Sequence, residues 1–301
     1  MTELHIGMVG YGEVGKVFTA GLLPQVAHVS AWDLTFELPE RQAGERVHAA
    51  RAGIQACLSL QALCQQTDLL ISAVTASNTL AVAQAAAEHI RPGTIFLDLN
   101  SASPGTKQQA AELIEAAGAH YVEAGVMTSV PPYGIRVPML LGGARAEALA
   151  QTLCGLGMNA RAVSTDIGVA SAIKMCRSVM IKGLEALVIE SYTTARHYGV
   201  EKHMLPTLAE TFPSIDWEKQ GAYFFSRVAQ HGKRRAEEMR EAANTVREAG
   251  FEPWMASAIA EKHDWVAQQS RDGVFDDLPS GATWQDYAEI GKHTSELQSQ
   301  R

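Results

Sequence analysis

The stretch "LHIGMVGYGEVGKVF", Leu4 to Phe18, decides the fold. Its first six residues form a short apolar run of the kind a buried parallel strand needs. "GYGEVG" then places Gly10, Gly12 and Gly15 ahead of a helix expected from about Glu13 to Leu23. The three glycines differ in what they allow. Gly10 permits a tight turn, Gly12 lets a pyrophosphate approach the backbone, and Gly15 allows close helix–strand contact. A phosphate there meets the free N–H groups and the positive end of the helix dipole. GxGxxG alone is a weak pattern, but here an acidic residue, Asp33, follows Gly15 by 18 positions at the end of the next strand, "HVSAWD" (28–33). A carboxylate at that point accepts hydrogen bonds from adenine-ribose hydroxyls and repels a 2′-phosphate, so NAD is expected over NADP. Arg41 and Arg46 are the cations that a loop movement would recruit for NADP. The candidate cofactor-binding residues are Gly10, Tyr11, Gly12, Glu13, Val14, Gly15 and Asp33. Val74, Thr75 and Ala76, in the "VTASN" loop after a later strand, complete the set.

Working outward, "DLLISAV" (68–74), "TIFLDL" (94–99) and "AHYVEAG" (119–125) read as further buried strands. Alanine- and glutamine-rich helical stretches, "TLAVAQAAAEHI" and "GTKQQAAELIEAAG", separate them. Strands alternating with helices give an α/β domain of Rossmann type, a doubly wound parallel sheet covered on both faces. A strand pair at "VPMLLGG" and "ARAVS" closes this domain near residue 163. After Ser164 no strand pattern returns. Ile167 to about His197 reads as one helix of about 30 residues, on the order of 45 Å, and helical patterns continue to about residue 270. The expected organisation is a dinucleotide-binding domain, 1–163, joined by the long helix to an all-helical domain, 164–301. A helix of that length exposes more than one small domain covers, which leads us to expect a homodimer through the helical domain.

The 301 residues are 47% hydrophobic and 19% charged, ordinary for a globular enzyme. A net charge of −8 gives no reason to bind nucleic acid. No apolar run reaches the roughly 18 residues of a membrane span, and "MTELHIGMVGYGEVG" lacks the layout of a secretory signal. A cytoplasmic protein with reduced, packed thiols is expected, since Cys57, Cys64, Cys154 and Cys176 form no CxxC pair. The ten histidines show no metal-ligand spacing, so no metal is expected.

Three segments carry candidate chemistry. "DLNSASPGT" (98–106) ends a strand with Asn100, Ser101 and Ser103 before Pro104 opens a helix, which also suits a plain capping turn. "EAGVMTSVPPYGIRVPMLLGG" (123–143) offers Met127, Thr128 and Ser129 at a strand's carboxyl end; substrate contact and a rigid connector both fit. "IGVASAIKMCRSVMIKG" (167–183) sets Lys174 and Lys182 in a mostly apolar helix.

The order of these motifs resembles the β-hydroxyacid dehydrogenase family, which includes 3-hydroxyisobutyrate, tartronate-semialdehyde and 6-phosphogluconate dehydrogenases. Asp98, Asn100, Ser101 and Pro104 match the family's D-x-[NS]-[ST]-x-x-P segment; Gly168 and Lys174 match its G-x5-K-x3-N helix. The resemblance covers most of the chain and implies that Lys174 is the catalytic lysine. Two departures stand out. The substrate segment runs Glu123-Ala-Gly-Val-Met-Thr-Ser rather than ending in Gly-Gly, and the helix asparagine is replaced by Ser178, preceded by Arg177. The "VMTSVPPYGIRVPML" loop and "HGKRRAEEM" look like a little-characterised phosphogluconate-dehydrogenase-like branch, and the chain is too short for a true 6-phosphogluconate dehydrogenase.

The resemblance implies hydride transfer between nicotinamide and a small, carboxylate-bearing hydroxy acid. The hydroxyl must lose its proton as hydride leaves, and one base contributes about 10²–10⁴-fold. A solvated lysine, with pKa about 10.4, stays protonated; burial beside a cationic ring lowers that value. On this reading Asn100, Ser101 and Ser178 orient the substrate, and Thr128 and Ser129 hold its carboxylate. Lys182, about 80° around the helix from Lys174, is read as a solvated or interface lysine. "HGKRRAEEMRE" (231–241) suits a charged helix face with Arg234–Glu238 and Lys233–Glu237 pairs; the sharper reading has His231 or Arg235 binding an anionic substrate group. Trp284 and Tyr287 in the tail "PSGATWQDYAEIGKH" are expected to pack or dimerise. Two alternatives stand beside the dehydrogenase: an imine reductase-like enzyme, weakened by Lys174, and a non-catalytic dinucleotide-binding sensor or assembly protein.

Overall fold

A computed structural model describes residues 2–37 and 39–288, with the side chains of Thr2 and residues 39–43 excepted. The chain divides into two compact units, Met1–Cys176 and Arg177–Arg301.

The first unit is a mostly parallel eight-stranded sheet with helices between its strands. Its strands are β1 (Thr2–Val9), β2 (Val26–Trp32), β3 (Gln55–Ala56), β4 (Leu69–Ser72), β5 (Ile95–Asp98), β6 (His120–Val126), β7 (Pro138–Gly142) and β8 (Asn159–Ser164). The helices are α1 (Glu13–Leu22), α2 (Pro39–Arg51), α3 (Leu60–Gln66), α4 (Thr79–Ala87), α5 (Pro104–Ala116) and α6 (Ala146–Gly155). The strand order is β3-β2-β1-β4-β5-β6-β7-β8. All pairs are parallel except β6–β7, which is antiparallel with Glu123 opposite Gly142 and Val126 opposite Met139. Order reverses between β1 and β4, and in open α/β sheets ligands bind outside the strand ends at such a switch point.

Central strands are apolar on both faces because helices cover both: all four residues of β4 are buried. One apolar layer joins Ile6, Met8, Phe18, Ile71 and Leu97; the other joins Val9, Leu63, Leu70, Phe96 and Tyr121. At about 25 cal/mol per Å² of apolar area removed from water, these two layers are the main favourable term in folding the sheet.

Helix α7 (Val169–Tyr198) runs 30 residues across the boundary between the units, which matches the length read from the sequence. The second unit continues with α8 (Glu201–Thr211), α9 (Trp217–Glu248) and α10 (Trp254–Arg271). Its apolar core gathers Ile189, Tyr192, Trp217, Phe225, Val228, Val266 and Trp284. The tail aromatics pack here: Trp284 meets Tyr192 with ring centroids 4.8 Å apart, and Tyr287 lies 6.0 Å from Phe225. The remainder of that tail, 289–293, lies outside the described residues. Helix α9 is interrupted at His231 (φ −133°, ψ 16°). Next to it, a Cβ on Gly232 would lie 2.8 Å from the His263 carbonyl oxygen, so only glycine lets α10 come this close.

Among the described residues no helix is long and apolar enough to cross a membrane, and no group of three or more His, Cys, Asp or Glu could hold a metal ion. All four cysteines are free. Cys57 and Cys64 are buried as expected, whereas Cys154 and Cys176 are exposed, because each falls on the outer face of its helix.

Candidate active site

The turn from β1 into α1 closes only with glycine. Gly10 has φ +94°, and a Cβ on it would lie 2.4 Å from the Ala73 carbonyl oxygen. A Cβ on Gly15 would lie 2.0 Å from the Gly10 carbonyl oxygen. Gly12 is different: a Cβ there meets nothing within 4 Å, and as N-cap of α1 it brings no side chain to cap the first turn. The loop is closed from below and open above, the shape a pyrophosphate needs.

Around it, Glu13 and Thr75 are exposed, Val14 and Val74 half-buried and Ala76 buried. Tyr11 turns inward: its hydroxyl lies 3.1 Å from His48 Nδ1, its ring packs on Phe36, and burial pushes its phenol pKa up. Asp33 accepts from the Tyr11 N–H at 2.7 Å and from the Thr35 N–H at 2.8 Å. Its carboxylate is thereby fixed beside the glycine turn with acceptor capacity left over. Arg46 is half-buried on α2, and the side chain of Arg41 lies outside the described residues.

The second part of the site begins at the end of β5. Asp98 and Lys107 are fully buried, with Nζ 2.9 Å from Oδ1, and Tyr121 donates to Asp98 Oδ2 at 2.6 Å. Asp98 Oδ1 also accepts the Asn100 N–H at 2.8 Å, which sets the path of the following loop. Asn100 is buried; its Oδ1 accepts from the Val74 N–H at 2.7 Å and its Nδ2 donates to Ser72 Oγ at 2.9 Å, lacing the β4 and β5 loops together. These two bonds fix the orientation of its amide. Ser101 follows, and Lys174 Nζ donates to its Oγ at 2.6 Å, with both side chains half-buried. Met127 and Ser129 are half-buried and Thr128 exposed at the carboxyl end of β6; the Met127 N–H donates to the Pro138 carbonyl.

Two buried groups escape sequence reasoning. Lys107 sits in the first turn of α5, ahead of two glutamines, with no signal of its own. Glu123, fully buried on β6, accepts from the backbone N–H groups of Gly168 (2.7 Å), Ala170 (2.9 Å) and Ser171 (3.3 Å), the first turn of α7. Its only sequence signal is that it heads the substrate segment as a carboxylate.

The remaining sequence candidates lie in the second unit. Ser178 is buried and accepts from Lys182 Nζ at 3.2 Å. Lys182, expected at a solvated or interface face, is instead 7% exposed, with Nζ 2.9 Å from Glu238 Oε2. The counter-charge from α9 removes the need for water that its helix position suggests. Arg235 forms a two-pronged buried ion pair with Glu185. His263 lies 3.7 Å from the same carboxylate; burial first, then Arg235 and Lys182, pushes its pKa down to about 3, so the ring is neutral. Arg234 approaches Glu238 at 3.9 Å as the helical spacing implies, and His231 is half-buried at the kink.

A glycine turn at a topological switch point, an acidic residue after β2, and a lysine hydrogen-bonded to the β5 loop define a dinucleotide-binding protein with a dehydrogenase-like fold. Comparison with known proteins agrees: residues 5–153 match the NAD binding domain of 6-phosphogluconate dehydrogenase, and residues 195–266 match a domain of unknown function, DUF1932. The chain belongs to the β-hydroxyacid dehydrogenase family, in its phosphogluconate-dehydrogenase-like branch. A conserved hypothetical protein from Sinorhizobium meliloti 1021 is 36% identical, with 96% of each chain covered and a TM-score of 0.76. A conserved protein of unknown function, described as structurally similar to 3-hydroxyacid dehydrogenases, is 29% identical over 89% of this chain and 98% of its own, with a TM-score of 0.68. 3-Hydroxyisobutyrate dehydrogenase from Mycobacterium tuberculosis shares the fold at 15% identity, with 96% and 99% covered and a TM-score of 0.71.

Proposed function

We propose that the protein transfers hydride between a nicotinamide dinucleotide and a small carboxylate-bearing hydroxy acid, or the matching carbonyl compound, with Lys174 moving the proton. The observation that carries this reading is the 2.6 Å hydrogen bond from Lys174 Nζ to Ser101 Oγ, which gathers the family's lysine and its β5 loop into one place. When bound, the nicotinamide supplies or accepts the hydride. Gly10, Gly12 and Gly15 would hold its pyrophosphate, and Val74, Thr75 and Ala76, on the loop after the neighbouring strand β4, would flank the cofactor. Asp33, fixed by the Tyr11 N–H, takes the ribose hydroxyls and repels a 2′-phosphate, which favours NAD over NADP.

Lys174 Nζ takes the hydroxyl proton during oxidation and returns one to the carbonyl oxygen during reduction. Ser101 fixes the direction of the amine, and Thr128 and Ser129 receive the substrate carboxylate. Ser178, Arg235 and His231 belong to the helical unit. There Ser178 and Arg235 already serve Lys182 and Glu185, so their part in substrate binding is indirect. A homodimer through the helical unit is supported by α7's exposed Met180, Leu187 and Tyr198.

Turnover tests this reading. NADH and NADPH titrations followed by fluorescence should show tighter binding of NADH. A panel of hydroxy acids and their keto or semialdehyde forms, followed by nicotinamide absorbance, should yield at least one substrate. Tight dinucleotide binding with no turnover across the panel in either direction would overturn the enzyme reading in favour of a dinucleotide sensor.

A further inference from the structure

The start of α7 is seated against the end of the sheet by a set of contacts that converge on one residue. Glu123 lies on β6 with its carboxylate fully buried. Three N–H groups at the start of α7 point at it: Gly168 and Ala170 both donate to Oε1, and Ser171 donates to Oε2. Ser171 Oγ donates back to the Gly168 carbonyl at 3.0 Å, tightening the same turn. The fit allows no added atom. A Cβ on Gly125, two residues along β6, would lie 2.9 Å from the Ala170 carbonyl oxygen and 3.4 Å from Lys174 Cβ. On β7, a Cβ on Gly142 would lie 2.6 Å from Glu123 Oε1. Gly168 has φ +107°, a conformation that favours glycine at the point where the chain turns into the helix.

We infer that Glu123 is the positioning residue for Lys174: it anchors the first turn of α7 to β6 and so sets where the lysine amine stands against Ser101. The inference rests on the proton-transfer reading of Lys174 given above. A helix start left without acceptors frays, and a carboxylate here satisfies three donors while meeting the positive end of the helix dipole. Lys174 follows Ser171 by three residues, so a loosened first turn reaches the amine directly. Misplacement of a reacting group by about 1 Å can cost about 100-fold in rate.

The experiment compares Glu123→Ala, Glu123→Gln and Gly125→Ala in the full chain, reading kcat, KM, NADH affinity and amide hydrogen exchange over 167–175. Glutamine keeps an acceptor oxygen where both short hydrogen bonds converge, so it should hold exchange protection and stay within about threefold of wild-type kcat. Alanine should lose protection across the segment and lower kcat by about 10- to 100-fold, with NADH affinity within about twofold. Gly125→Ala, which leaves Glu123 intact but presses on Ala170 and Lys174, should lower kcat with the same unchanged NADH affinity. If Glu123→Ala does not fold, the Gly125 and glutamine variants decide the matter. Equal losses for alanine and glutamine, or a Glu123→Ala protein with wild-type kcat and exchange, would overturn the inference. Should Lys174→Met itself retain turnover, the proton-transfer reading fails, and the exchange data alone then report whether Glu123 holds the helix start.

Discussion

Replacing Lys107 with methionine removes the positive half of an ion pair that is sealed inside the sheet domain. The Lys107 ammonium stands 2.9 Å from Asp98 Oδ1 and 3.1 Å from the Asp98 carbonyl oxygen, with side-chain exposures of 0% and 1%. Methionine fills the same stem volume without the charge. At an effective dielectric of about 20, unit charges this close attract by about 5–6 kcal/mol, and breaking a buried pair by deleting one partner costs about 3–5 kcal/mol. Asp98 would keep the Tyr121 hydroxyl at 2.6 Å and the Asn100 N–H at 2.8 Å. Those two donors place the expected loss at the lower end, about 3 kcal/mol. For a unit of this size each kcal/mol moves Tm by about 2–4 °C, so the transition of the sheet domain should fall by about 6–12 °C. Scanning calorimetry with and without NADH checks this, because the transition that NADH raises is that of the unit binding it. Pairing Lys107→Met with Asp98→Asn removes the orphaned charge and should recover at least half of the loss. A Lys107→Met protein within about 1 kcal/mol of wild type, or a double variant no more stable than the single one, would refute the reasoning.

Gly15→Ala drives a Cβ to 2.0 Å from the Gly10 carbonyl oxygen, a backbone atom that cannot rotate away. Saturable NADH binding should disappear, with a stability loss beyond the about 1 kcal/mol typical of point substitutions; calorimetric titration with NADH checks it. His263 is one pH-dependent element of the helical unit. Its folded pKa of about 3 lies below the ordinary value of 6.5, so the unfolded chain binds the extra proton and stability falls as pH drops from about 6.5 toward 3. His263→Leu should flatten that part of a urea-unfolding profile by up to a few kcal/mol, at about 1.4 kcal/mol per pKa unit. An unchanged slope would mean the ring is not buried neutral.

What is legible in the sequence is what local chemistry encodes. The glycine turn, the apolar strands and the length of α7 all follow from spacing and periodicity, and the family resemblance singles out Lys174 and Ser101. What stays hidden depends on partners distant in the chain. Strand β3 is two residues long and pairs Ser30 with Gln55 and Ala31 with Ala56, so no apolar run announces it. Lys107 looks like any helical lysine because Asp98 and Tyr121 meet it only in the folded sheet. Lys182 misleads for the same reason: a helical wheel shows its face but not that Glu238, on another helix, covers it. Asn100 illustrates the same limit. Its motif suggests a substrate contact but not that its amide also ties the β4 and β5 loops together through Val74 and Ser72. Glu123 heads the segment that departs from the family pattern, and the departure itself gives no sign that its carboxylate holds the start of α7.

Lys174→Met tests the central claim most directly, measured as a single-turnover rate at saturating dinucleotide on whichever hydroxy acid or carbonyl compound the wild-type protein turns over. We predict a fall of about 10²–10⁴-fold in the rate, the range a general acid–base group contributes, with NADH affinity unchanged within about twofold. A rate within about threefold of wild type would contradict the assignment of proton transfer to Lys174, and with it the proposed mechanism.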